Sequence, residues 1–250
     1  MKKIMLGVVA LVAIGAGPAL AADLPARTYT KAPVVVPEPV YNWTGFYIGA
    51  NGGYGWGSSN WFFSPAGTSV SNSTSGGLAG GQIGYNWQVA PNWVVGLEAD
   101  GDWANIKGST SCPNTAFNCF SNTDDLASFR GRVGYAAGPA LFYGTGGVGY
   151  AHTSYSALTV VGGLPASTVA GTATGLFGTD RWGYAAGAGI EYGFTPNWSA
   201  KIEYMHYGFN TVTAPLLTLS VASTTAVGLN IDTVKVGINY RWGGPVVAKY

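Results

Sequence analysis

The feature that most constrains this chain is a period of two in which ionised side chains keep to one side. From 93 to 103, Trp93, Val95, Leu97, Ala99, Gly101 and Trp103 alternate with a set holding Glu98, Asp100 and Asp102. Successive side chains of a strand point to opposite faces. The separation recurs where Ala127, Phe129, Val133 and Tyr135 alternate with Ser128, Arg130 and Arg132. Trp182, Tyr184, Ala186, Ala188, Ile190, Tyr192 and Phe194 oppose Arg181 and Glu191. Trp198, Ala200, Ile202 and Tyr204 oppose Lys201 and Glu203, and Val234, Val236, Ile238, Tyr240 and Trp242 oppose Lys235 and Arg241. Asp232 breaks the pattern if the last strand starts before it, so it is assigned to a loop end.

The chemistry decides which face meets what. Charged residues are 9% of the 250 residues, against about 25% in ordinary soluble domains. That polar face is too sparse to cover an exterior, which excludes a soluble ligand-binding barrel with an apolar inside. An arginine or lysine facing the bilayer midplane costs about 2–4 kcal/mol, so the charges belong in a lumen. Past the N-terminus no apolar run is long enough for a membrane-spanning helix. The aromatic content of 14% argues against disorder, and a net charge of +1 advertises no nucleic-acid partner.

The expected architecture is all-β: an eight-stranded antiparallel up-and-down transmembrane barrel over 42–250. Strands are read at about 43–56, 76–88, 93–103, 126–136, 140–153, 180–194, 198–209 and 231–242. Short turns follow the second, fourth and sixth strands. Roughly twenty-residue Ser/Thr/Asn/Gly-rich loops follow the others, giving short periplasmic turns and four long extracellular loops. In the first strand Phe46, Ile48, Ala50, Tyr54 and Trp56 alternate with Tyr47, Asn51 and glycines. In the fifth, Phe142, Val148 and Tyr150 are assigned to lipid. Trp43, Trp56, Trp87, Trp93, Trp103, Trp182, Trp198 and Trp242 lie at strand ends, where interfacial girdles form.

Lys2 and Lys3, an apolar stretch from Ile4 to Ile14 and the small-residue site Ala19-Leu20-Ala21 predict a signal peptide over 1–21. Four prolines within 22–41 predict an extended periplasmic segment. In an oxidising compartment Cys112 and Cys119 are expected to staple a loop, since further ligands for a metal are lacking nearby.

Gly84-Tyr85, Pro91-Asn92-Trp93 and Glu98 recur 105 positions later as Gly189-Ile190, Pro196-Asn197-Trp198 and Glu203. Each copy spans a hairpin with a tight turn. Duplication and shared constraint on two barrel hairpins both account for it.

Eight strands enclose an interior that side chains fill. The expected inward charges are Glu98, Asp100, Asp102, Glu191 and Glu203 against Arg130, Arg132, Arg181, Lys201, Lys235 and Arg241. The acidic trio of the third strand faces the Arg130/Arg132 pair of the fourth. Paired charges are tolerable in a narrow lumen where lone ones are not. The principal reading is an ionic network that plugs the barrel; the alternative is a narrow porin-like path for ions or small solutes.

Asp23-Leu24-Pro25, the run Trp43 to Gly49, the Pro-Asn-Trp turns, Glu203-Tyr204 and the run Gly237 to Trp242 make the chain resemble the small outer-membrane β-barrel proteins of alphaproteobacteria. These are often labelled porin family and share the OmpA-like eight-stranded barrel. The resemblance implies an abundant outer-membrane component with roles in envelope integrity, contact with host surfaces and, in some members, haemin binding. It implies lipid and lipopolysaccharide as surroundings and the barrel-assembly machinery as a partner. That machinery reads a C-terminal aromatic, for which Trp242 and Tyr250 both qualify.

His152-Thr153-Ser154 is similar to the His-x-Ser of barrel lipid A deacylases, with Asp180 placed to orient the histidine. A three-residue match in a Ser/Thr-rich rim is weak, so a lipid A-modifying enzyme is the remote alternative and no catalytic residue is assigned. His206 reads as an interfacial histidine rather than a haem ligand, and no cofactor or metal site is expected. Trp61, Phe62 and Phe63, read within the loop 60–75, suggest surface recognition or contact with the membrane.

Overall fold

The computed structural model describes residues 41–64, 66–112, 117–161, 164–165, 174–218 and 221–242. The expected signal peptide, most of the proline-rich segment and Tyr250 lie outside the described residues. Eight long strands form the barrel: β1 (Gly45–Ser64), β2 (Thr68–Ala90), β3 (Trp93–Ser111), β4 (Phe117–Ala137), β5 (Ala140–Val161), β6 (Thr174–Gly193), β7 (Trp198–Thr218) and β8 (Val221–Trp242). Each pairs antiparallel with its sequence neighbours. β1 also pairs with β8, from Phe46 opposite Trp242 to Ser64 opposite Thr224, which closes the ring. Closure matters because an unpaired backbone edge in hydrocarbon is prohibitive. A two-residue ladder, Leu164–Pro165, pairs with Val160 and Val161 of β5.

The strands are longer than the alternation suggested, and the outer connections shorter. The expected loop 60–75 is mostly the far end of the β1–β2 hairpin, closed by a turn in which Gly67 adopts a left-handed φ of 67°. Between the girdles, as from Phe46 to Trp56 or Trp93 to Trp103, a strand needs about 9–11 residues to cross the hydrocarbon. Beyond the girdle the outer face meets water, so serine and threonine replace the aromatics while the ladder continues. Asp232 is therefore not at a loop end. It lies within β8, opposite Trp56 and His206.

The outward set is apolar, with Ile48, Leu97, Phe129, Val133, Phe142, Val148, Ile190, Ile202, Val236 and Ile238 exposed along the wall. Seven of the eight girdle tryptophans are exposed; Trp43 is instead fully buried, roofing the periplasmic end beside Val94, Leu141 and Tyr143. The interior is layered. From that cluster, the inward residues run through a polar zone to a second apolar layer of Leu78, Ile106, Leu126, Met205, Tyr207 and Ile231. Farther out, Trp61, Phe63, Tyr155 and Val227 pack against the Cys112–Cys119 disulfide. Trp61 and Phe63 thus point inward and only Phe62 faces out, which corrects the exposed aromatic loop. An aromatic beyond the bilayer gains more by filling the barrel end than by facing water.

Candidate functional site: a polar zone in the lumen

All eleven charged residues expected inside are buried. Nine of them form one connected cluster. Arg130 sits at its centre on β4, with Nη2 donating to Glu98 Oε1 at 2.6 Å and Asp100 Oδ1 at 2.9 Å and Nη1 3.2 Å from Glu203 Oε1. The ladder imposes the first contact, because Glu98 pairs directly with Arg130. Lys201 reaches across to both oxygens of Glu98 at 3.0 and 3.1 Å. Lys235 donates to Asp100 at 2.7 Å and Asp102 at 3.0 Å. Arg132 binds Glu191 at 2.8 Å and stacks over the Tyr143 ring, 4.0 Å from its centroid.

Neutral residues complete the zone. Tyr47 donates to Glu98 at 2.7 Å, Tyr143 to Glu203 at 2.9 Å, and Ser128 to Asp100. Ser199 and the Asn239 amide donate to Glu191. Gln82 links Asn239 to Asn51 through two bonds of 2.7 Å. The alternation of charges alone assigns no role to these groups, although Tyr47, Asn51 and Ser128 share the parity of the charges. Burying so many ions is tolerable only because each is paired and hydrogen-bonded.

The structure does not bring Arg181 and Arg241 into this cluster. Arg241 lies at the periplasmic end, over the rings of Tyr41 and Trp43, and donates to the Tyr41 hydroxyl at 2.5 Å. Arg181 lies in the outer half of the lumen, above the second apolar layer, and donates to main-chain carbonyls of Val227 and Asn210.

The 105-residue repeat is a repeat of contacts. Asn92 donates its amide to the carbonyl of Ala136 and Asn197 to that of Arg241, both at 2.8 Å. Trp93 pairs with Tyr135, and Trp198 with Tyr240. Glu98 lies opposite Arg130, and Glu203 opposite Lys235. Gly84 and Gly189 are glycine because a Cβ at either would strike the phenol of Tyr47 or Tyr143 on its way to the glutamate.

Two polar groups sit on the outside, at or just beyond the outer girdle. Asp180 accepts from Tyr150 and meets His152 Nδ1, both at 2.8 Å. Asp232 accepts from Tyr204 and meets His206 Nδ1, both at 2.7 Å. The hydrogen bond from Asp180 raises the His152 pKa and lowers that of Asp180. Ser154 donates to Asp124 at 3.3 Å and makes no hydrogen bond to His152.

The family model "Outer membrane protein beta-barrel domain" matches residues 7–241. The 31 kDa outer-membrane immunogenic protein of Brucella melitensis is 32% identical, over 97% of this chain and all of that one. The 22 kDa outer membrane protein of Rhizobium leguminosarum is 28% identical, over 85% of this chain and 82% of that one. Among solved structures, OprG of Pseudomonas aeruginosa aligns with a TM-score of 0.46 at 15% identity, covering 80% of this chain and 98% of that one. The chain belongs to the outer membrane protein β-barrel domain family and is a protein of the outer membrane.

Proposed function

We propose that this protein is a structural and surface-presenting barrel whose lumen is closed by its ionic cluster. The observation that carries this reading is Arg130: 0% exposed, at mid-lumen, and held by three carboxylates from β3 and β7. Its ligands come from both halves of the barrel, so the cluster ties opposite walls together where an ion would have to pass. Strand extensions beyond the outer girdle form a surface for contact with host molecules, in keeping with the name "immunogenic" of the Brucella relatives. Trp242, at the end of β8, is the aromatic offered to the barrel-assembly machinery. The outward His152 and Ser154 engage different aspartates, which supports a barrel without lipid A chemistry. Lipid A acylation, measured by mass spectrometry, is expected to be the same with and without expression.

The test of closure is single-channel recording of refolded protein in planar bilayers. Wild-type barrels are expected to be silent. Discrete, reproducible steps that change with Asp100→Ala would reject the closed lumen in favour of a narrow ion path.

A further inference from the structure

Among the described residues, Arg181 is a buried cation with no carboxylate in an ion pair with it. The residue is 1% exposed. Its Nη1 bonds two carbonyls, its guanidinium lies 5.1 Å from the Tyr155 ring centroid, and the side chain that hydrogen-bonds it is the neutral Tyr155 phenol rather than a carboxylate. Trp61 meets the same Tyr155 ring edge-on at 5.4 Å, and its Nε1 lacks an acceptor. The buried Ser59 hydroxyl, on the same inward row of β1, is turned to the Tyr155 hydroxyl.

The sequence explains why no carboxylate answers. Asp and Glu are absent from 39–97, 103–123, 126–179 and 204–231, which include all four outer connections. Glu98, Asp100, Asp102, Glu191 and Glu203 are committed to the cluster beneath the apolar layer. Asp180 and Asp232 bind histidines on the outer face, Asp124 bonds Ser154 there, and Asp125 is exposed opposite Trp103. A buried ion left without a partner shifts its charge state or acquires one, and a guanidinium does not deprotonate in proteins. The partner must come from solution.

We propose that the outer lumen is an anion site, in which a small inorganic anion of halide size is held by Arg181, with the Trp61 indole N–H as a further donor. We take the anion to be small because Trp61, Phe63, Tyr155 and Val227 pack together with the disulfide in the same outer layer.

The test uses refolded full-length barrel in detergent. Its thermal unfolding midpoint is measured in sodium chloride or bromide against sodium gluconate at equal ionic strength. A saturable rise with halide is expected in the wild type, absent in Arg181→Gln and kept in part by Arg181→Lys. Crystals grown in bromide should show an anomalous peak within hydrogen-bond reach of the Arg181 guanidinium. Equal halide responses in the wild type and Arg181→Gln would overturn the proposal. So would bromide crystals with no peak at Arg181, a result that decides the matter even if Arg181→Gln does not refold.

Discussion

Arg130 shows what a single residue does here. Truncating one member of a buried ion cluster strands its partners, at a cost of about 3–5 kcal/mol. Arg130→Ala would strand Glu98, Asp100 and Glu203 together. We predict a loss of that size in urea unfolding from lipid vesicles. Tyr47→Phe removes the hydrogen bond to Glu98, a carboxylate that retains three cations nearby, and the longer bond that Tyr47 accepts from Arg132. Its loss should be smaller, about 1.5 kcal/mol. On the outside, Asp180 stabilises the charged form of His152. The imidazole should titrate above its ordinary value by NMR in the wild type and fall back toward it in Asp180→Asn. Residue faces were legible in advance because hydrocarbon penalises a misplaced charge heavily. Heights were not. Arg181 has the parity of the lumen charges, but it lies beyond the second apolar layer, near the middle of β6, where the neighbouring strands offer no acid at that level. Trp43 and Trp61 show the same gap, since an aromatic at a strand end gains by packing inward or outward alike.

A strand in this molecule carries two alternations, one imposed by lipid and one by the ladder. Within the girdles both act, and the expected strands match the observed ones closely there. Beyond the outer girdle lipid no longer selects the exposed residues, so stretches such as 57–64 and 68–75 read as loops although they remain paired. Asp232 departs from the expected loop end for the same reason: its outward face is acceptable because His206 and Tyr204 bond it at the rim. Two predictions belong at this scale. Ile238→Arg, on the lipid face between Ala50 and Ala200, should cost about 2–4 kcal/mol, the range for a cation turned to the hydrocarbon, read by vesicle unfolding. Amides of the paired stretch 57–63 should exchange slowly with solvent, whereas the turn at 66–67 should exchange fast.

At the scale of the molecule, the barrel inverts a soluble protein. Its wall is greasy outside, and its centre alternates apolar layers with one ionic layer that ties the two repeated halves together. Glu98 and Glu203, equivalent in the repeat, both contact Arg130 and Lys201, so each half lends its glutamate to a shared centre. The most direct measurement of this arrangement is a spin-label scan along β8. Nitroxides at Val236 and Ile238 should collide freely with oxygen and poorly with a water-soluble nickel reagent. Labels at Gly237 and Asn239 should be shielded from both. Reversed phase, or lumen positions open to the aqueous reagent, would contradict a lipid-wrapped barrel with a filled centre.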